Sequence, residues 1–475
     1  MRERHLRGAR RAVARGALLA LFLALNSTQS LAAGPGGELG CLAARGDRVL
    51  EATAPDRRKT PASVHKLAVT AAALHSLGAD YRVTTRVIAA GPVGADGVLR
   101  GDLILAAAGD PTWSETFFDG GAGEPLGRLA RAVRGTGLER VDGDLVVDLS
   151  RFPGRPTPSS RPIGDLAFGF GAATGGLAVD ANTVQLEMSP GPAVGAPARF
   201  VAEGVTVVNL TVTAPADRRD RGTVDFQAAW DDGRIVVRGE YPISEPTYRV
   251  PLAVADGEQR AASAFRDALR AAGVTVEGET RLVPGRRAER GERVVASLDS
   301  PPVGDWLRPI LTDSDNWVAD MLLRILAAEQ AEAGRAGDGV RWLETFLEKE
   351  VGLDPDAVHL DDASGLSLLN LWTPRAVVDV LQWAHRQAWR TAYFDALARP
   401  GAGTLRAWPA LPPGTRAKTG TLSHTLGLAG RLGPAEDPIF FACLLNHDIR
   451  PRPDQRRTLV ERVWRWHKLT SEGRK

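Results

Sequence analysis

The sequence predicts an α+β chain in which strands from both ends build one sheet, helices flank it, and a β-rich region is inserted between. Three observations carry that expectation. Alternating residues around a turn at Gly46-Asp47 mark a hairpin over 38–54, near the start. Three further strand-like runs, 417–421, 427–432 and 438–446, stand near the end. From about 92 to 295 the texture changes to short β-like runs separated by Gly, Pro and Asp, with helical periodicity on either side. At 475 residues the chain is longer than one ordinary domain.

Taken in order, the first 33 residues read as a secretory signal. Arg2, Arg4, Arg7, Arg10, Arg11 and Arg15 precede a short apolar run at 17–25. Ser30-Leu31-Ala32 then offers small residues for cleavage after Ala32. That run is too short to span a bilayer as a helix; the alternative is an uncleaved N-terminal anchor. After the hairpin, residues 61–77 predict a helix with Pro61 in its first turn and Gly78 just past its end. Val64, Leu67, Ala68, Ala71, Leu74 and Leu77 make its apolar face. The inserted part, 93–295, carries β-like runs at 101–107, 143–148, 183–188, 204–213, 223–230 and 234–239. One amphipathic helix interrupts them, with Ala261, Ala264, Phe265, Ala268 and Leu269 on one face. Helices resume at 305–310, 317–333, 340–351 and 374–388, and the chain closes in a helix at 453–469. Residues 34–92 and 296–475 therefore read as one domain. The last helix sets Leu459, Val460, Val463, Trp464 and Trp466 among Arg456, Arg457, Arg462 and Arg465. Packing of that apolar face on the sheet is the favoured reading; the other is a peripheral contact with a membrane surface.

Composition narrows the class. Hydrophobic residues at 44% and charged residues at 24% suit a packed core and argue against disorder. A net charge of +2 leaves no basic stripe for nucleic acid. Lysine occurs only at 59, 66, 349, 418, 468 and 475, so nearly all cations are arginine and each lysine carries more information. Cys41 and Cys443, in an exported chain, can pair or remain buried thiols.

Three short motifs carry chemistry. In Ser63-Val64-His65-Lys66, serine and lysine three apart on a helix share a face, so the amine can reach the hydroxyl. A serine hydroxyl is a poor nucleophile until a base takes its proton. Lysine can do this when burial holds it neutral; arginine cannot. In Ser314-Asp315-Asn316, a hydroxyl can relay a proton and an amide can orient a lysine and a substrate carbonyl. In Lys418-Thr419-Gly420-Thr421, a cation can hold a carboxylate, and glycine lets another backbone approach a strand edge. Each motif alone is weak; their joint occurrence, in this order and behind an export signal, is specific.

The set resembles the serine D,D-peptidase and β-lactamase superfamily, whose signature is Ser-x-x-Lys, Ser-x-Asn and Lys-Thr-Gly. Ser63 and Ser314 are 251 residues apart, and Ser314 and Lys418 are 104 apart. The long first gap resembles the D-alanyl-D-alanine carboxypeptidase/endopeptidase family, the low-molecular-mass class C penicillin-binding proteins. Gly101-Asp102-Leu103, Gly109-Asp110-Pro111-Thr112, Gly143-Asp144-Leu145, Ser150-Arg151-Phe152, the segment 362–366 and Thr373-Pro374-Arg375 are similar to that family too. The resemblance implies a β-lactamase-like domain, an antiparallel sheet flanked by helices, with inserted β-rich domains. It implies hydrolysis of the bond between two D-alanines at the end of peptidoglycan stem peptides, in the periplasm or cell-wall space, with endopeptidase cleavage of crosslinks by the same chemistry. Ser63 would attack the carbonyl and Lys66 accept its proton. Ser314 and Lys418 would pass a proton to the leaving amine. Asn316 would orient the substrate amide, and Lys418 with Thr419 would favour the terminal carboxylate. The backbone N–H groups of Ser63 and Thr421, beyond Gly420, would form the oxyanion hole. No metal or organic cofactor is implied, and β-lactams would acylate Ser63.

The chain departs from the family pattern at His65, His424 and Ala363. The two histidines read as partly exposed residues at the cleft edge, the alternative being pH-dependent activity or altered substrate fit, and Ala363 reads as a tighter loop. The family's strand order would set the first strand beside the last, which brings Cys41 near Cys443. Two other readings stand beside the peptidase. A β-lactamase needs a base to activate water, and no Glu-x-x-x-Asn element of the class A kind is present. A wall-binding scaffold without catalysis would not need Ser63, Lys66, Ser314, Asn316 and Lys418 intact.

Overall fold

The structure, a computed structural model, describes residues 37–217, 224–228, 233–286, 291–331, 333–408 and 410–472. The expected signal segment, 1–33, and part of the run at 223–230 lie outside them. The chain opens with a hairpin, β1 (Glu38–Arg45) and β2 (Arg48–Thr53). A 3₁₀ turn, Ala62–His65, leads into α1 (Lys66–Ser76). The inserted region follows with β3 (Thr84–Ala90), β4 (Asp102–Ala106), α2 (Gly123–Gly135), β5 (Leu145–Asp148), α3 (Gly257–Ala271), β6 (Thr280–Val283) and β7 (Arg293–Asp299). Beyond it come α4 (Asn316–Gln330) and α5 (Pro374–His385), then β8 (Arg416–Leu422), β9 (Thr425–Leu432), β10 (Ile439–Asn446) and α6 (Arg452–Glu472).

The main sheet has the order β8-β9-β10-β1-β2 and is antiparallel throughout, so both ends of the chain build it. Side chains alternate across a strand, and here both faces are covered. Leu42 and Ala44 face a cluster with Leu67, Trp317 and Val377. Cys41 and Ala43 face Leu459, Val463 and Trp466 of α6. The apolar side of α6 is thereby taken up by the sheet. β10, covered on both faces, is buried along its whole length, which is why Ile439–Asn446 reads as a continuous apolar run. Cys41 lies opposite Cys443 in the β1/β10 register and the two form a disulfide. Among the described residues no helix is long and apolar enough to cross a membrane.

Helix α1 runs through the centre of the other layer. Nine of its residues, Lys66 to Leu74, are buried, and four of these are alanine. A helix buried all round needs small side chains where neighbours crowd it. The chain enters α1 through a 3₁₀ turn rather than an α-turn, since Val64 N bonds to Pro61 O. Residues i and i+3 eclipse in that geometry, so Ser63 sits directly over Lys66.

The inserted region is tethered by β3 and β7, which pair antiparallel. They extend a second sheet of order β6-β5-β4-β3-β7, with α2 and α3 packed on it through Leu126, Leu129, Val133, Phe265 and Leu269. A smaller β cluster between 167 and 254 has its own core around Leu186, Val237 and Leu252. The edges at 93 and 295 exclude β3 and cut through β7, so the division that we propose runs between Val83 and Ser300, whose backbones are hydrogen-bonded at 2.9 Å. The region also holds two amphipathic helices rather than one. α2 escaped notice because Gly123, Gly127 and Gly135 weaken its helical signal.

Candidate active site

The three motifs converge on one cleft of about 640 Å³, lined by Ser63, Phe170, Ser314, Asn316, Leu366, Trp408, Thr419 and Thr421, among others. Each motif arrives by a different route. Ser63 is delivered by the 3₁₀ turn before α1. Ser314 follows a π-helical turn, Pro309–Asp313, and takes a left-handed conformation with φ +70. That reversal starts α4, which Asp315 caps by accepting from Val318 N at 2.9 Å. Lys418 to Thr421 lie on β8, at the edge of the main sheet.

Gly420 explains how the edge strand and the turn that carries Ser63 come together. A Cβ at that position would fall 2.4 Å from Pro61 O and 3.2 Å from Val64 N. Only glycine lets β8 run so close to the turn that carries Ser63. The expected oxyanion donors, the N–H groups of Ser63 and Thr421, belong to these two apposed segments.

Two serines stand in front and two lysines behind. Lys66 and Lys418 are fully buried, whereas Ser63 and Ser314 face the cleft. Lys66 Nζ donates to Ser63 Oγ at 2.9 Å and to Asn316 Oδ1 at 2.7 Å, and also to Ser364 O. Lys418 Nζ donates to Ser314 Oγ at 2.9 Å and to Thr419 O at 2.9 Å. Asn316 Nδ2 donates to Phe170 O at 3.1 Å, which ties the inserted region to the cleft. Burial lowers Lys66 to about 8 despite the carboxylates of Asp320, Asp362 and Asp315. Burial, with the charge of Lys66, also lowers Lys418 well below its ordinary value. A buried amine near neutrality can exchange a proton with the hydroxyl it touches. Lys418 is turned towards Ser314 and does not line the cleft; Thr419 and Thr421 do.

His65 corrects an expectation. It is buried, not partly exposed at the cleft edge. Trp372 Nε1 donates to its Nδ1 at 3.0 Å, so Nε2 carries the proton and donates to Asp362 O at 2.6 Å. Burial lowers its pKa to about 4, which keeps it neutral. His65 is a strut beneath Ser63. His424 is exposed in the β8–β9 turn with φ +56.

Sequence reasoning missed Asp320 and Arg161. Asp320 lies one turn after Asn316 on α4 and accepts from Ala363 N at 3.1 Å and Ser364 N at 2.8 Å. Its second oxygen takes Arg161 Nη2 at 2.7 Å, in a pair with side chains only 2% and 9% exposed. The clamp fixes the loop whose Ser364 O accepts from both Lys66 and Ser63. Asp362 completes that loop by accepting from Ser364 Oγ, Ser367 N and Asn370 Nδ2. The available signal was an acid four residues after Asn316, in phase with it and flanked by apolar residues. Asp320→Asn would leave Arg161 buried without its salt-bridge partner. The expected loss is about 3–5 kcal/mol of stability in urea unfolding, with slower β-lactam acylation in the fraction that remains folded.

Comparisons with known proteins agree with this geometry. A model of the D-Ala-D-Ala carboxypeptidase 3 (S13) family matches residues 36–465. A D-alanyl-D-alanine carboxypeptidase from Actinomadura sp. is 30% identical over 412 residues, covering 83% of this chain and 74% of that one. The D-alanyl-D-alanine carboxypeptidase DacB of Haemophilus influenzae is 26% identical, over 81% of this chain and 80% of its own. The crystal structure of penicillin binding protein 4 from Haemophilus influenzae has the same fold, with a TM-score of 0.78 at 22% identity over 90% of this chain and 97% of that one.

Proposed function

The chain belongs to the D-Ala-D-Ala carboxypeptidase 3 (S13) family, and from that premise we propose that it removes the terminal D-alanine of peptidoglycan stem peptides through an acyl-enzyme on Ser63. The observation that carries the reading is the contact of Lys66 Nζ with Ser63 Oγ at 2.9 Å, inside a site that also pairs Ser314 with Lys418. Ser63 Oγ attacks the carbonyl carbon between the two D-alanines while Lys66 Nζ takes its proton. The C–N bond breaks, and the leaving amine receives a proton from Ser314, resupplied by Lys418. Lys66 then sheds its proton to solvent and Lys418 regains one, which resets both amines. Water attacks the ester carbonyl and gives a proton to the neutral Lys66. As the C–Oγ bond breaks, Lys66 returns that proton to Ser63 Oγ, which releases the shortened peptide with Ser63 restored. Asn316 holds Lys66 through Oδ1, and the N–H groups of Ser63 and Thr421 carry the developing oxyanion. β-Lactams enter the same step as acylating inhibitors; the H. influenzae relative has been solved in complex with one.

Incubation with a pentapeptide ending in D-Ala-D-Ala should release free D-alanine, measured by chromatography. No release from that peptide, with cleavage of crosslinked dimers alone, would make the protein an endopeptidase. Export to the periplasm or wall space suits this substrate. For a peripheral membrane contact, the outward side chains of α6 among the described residues include Trp464 and Leu469 with Arg457 and Arg465; co-sedimentation with anionic vesicles tests it.

A further inference from the structure

One wall of the catalytic cleft holds side chains that the reaction as described does not use. Thr404 and Trp408 come from a 3₁₀ turn, Gly403–Ala407, and the residue that caps it. Arg456 comes from the second turn of α6. All three line the cleft that contains Ser63, Thr419 and Thr421. The Arg456 guanidinium lies 5.9 Å over the Trp408 ring. Its Nε and the Thr404 Oγ1 are both buried and have no hydrogen-bond partner among the described residues. Buried polar atoms are almost always satisfied, so these two mark a wall whose hydrogen bonding is incomplete, and the part-exposed remainder of the Arg456 side chain is what the cleft can reach.

The charges of the cleft sharpen the point. A peptide cut by a carboxypeptidase brings its own terminal carboxylate into the site. Lys418 was the expected cation for it, yet Lys418 is enclosed and its amine is bonded to Ser314 and Thr419 O. Among the residues that line the cleft, Arg456 is the one basic side chain. It has no ion pair among the described residues. An arginine keeps its charge at any working pH and grips carboxylates through paired N–H groups. Trp408 beneath it restricts where the guanidinium can swing.

We propose that Arg456, with Thr404 beside it, holds the terminal carboxylate of the scissile D-alanine, together with the hydroxyls of Thr419 and Thr421. Arg456 is thus a specificity-determining residue: it selects peptides with a free C-terminus and leaves Lys418 to its proton. This inference rests on the carboxypeptidase reading above.

The test compares two substrates with the same acyl group, on the full exported chain. One is diacetyl-L-Lys-D-Ala-D-Ala; the other is a thioester whose leaving thiol carries no carboxylate. Arg456→Gln is expected to lower kcat/KM for the peptide roughly 10- to 100-fold, the range of a hydrogen-bonded charge, mostly through KM. Its thioester hydrolysis should stay within about twofold, and labelling by saturating fluorescent penicillin should be retained. Arg456→Lys should recover part of the peptide activity, and Thr404→Val should show a smaller loss confined to the peptide. Equal losses on both substrates, or no loss on the peptide, would overturn the assignment of Arg456. A wild-type protein that cleaves neither substrate would instead overturn the carboxypeptidase reading, and this inference with it.

Discussion

Ser63→Ala should take no label from a fluorescent penicillin that marks the wild-type protein, and its peptidase rate should fall by roughly 10⁴–10⁶-fold. The variant should fold, because among the described residues Ser63 Oγ is bonded only to Lys66 Nζ and Ser364 O; Lys66 Nζ keeps Asn316, and Ser364 O keeps Lys66 Nζ. The neighbours make the result discriminating. Ser364 is fully buried and its hydroxyl is committed to Asp362. Ser314 faces the cleft with a lysine behind it, in a mirror of the Ser63–Lys66 arrangement. A label on both proteins would therefore point to Ser314 as the nucleophile. A label on neither would remove the acyl-enzyme altogether and revive a scaffold that binds wall peptides without cutting them.

The parts of this site that were legible in the sequence are those encoded over three or four residues. Ser63 and Lys66, Ser314 and Asn316, and Lys418 to Thr421 each make a local pattern whose chemistry can be argued before any fold is known. The main sheet was legible for a similar reason, since its strands are short runs with clear turns at both ends of the chain. What was hidden depends on contacts across hundreds of residues. Phe170 and Thr404 reach the cleft, and Arg161 reaches Asp320, from segments whose local sequence looks like ordinary loop. His65 looked like a surface departure because nothing nearby announces that Trp372, 307 residues on, will accept it as a partner. The pairing of Cys41 with Cys443 stayed open until a strand register placed them opposite each other. For Lys418, too, the motif leaves open which neighbour its amine meets; the structure turns it towards Ser314. A motif names the residue; only the packing says which way the side chain turns.

That distinction decides the second large prediction, which concerns Lys66. If Lys66 is the base, it must be neutral when Ser63 attacks. Burial brings its pKa down to about 8, so at pH 7 only about a tenth of the protein holds the reactive form. The rate constant for β-lactam acylation should therefore climb with pH, close to tenfold per unit below 7, and level off above about 9. Nearby carboxylates oppose the burial, so the direction is informative: removal of the Asp320 charge should move the midpoint down, not up. His65 cannot mimic this profile, because its titration lies near 4. Lys66→Arg separates charge from basicity. It preserves a cation beside Ser63 and Asn316 but cannot accept the proton, so acylation should fall by about 10²–10⁴-fold. Stopped-flow acylation of both proteins between pH 6 and 9 gives the answer. A flat wild-type profile, or an arginine variant with near-normal rates, would mean that Lys66 serves as a fixed charge and that the proton of Ser63 leaves by way of Ser314 and Lys418.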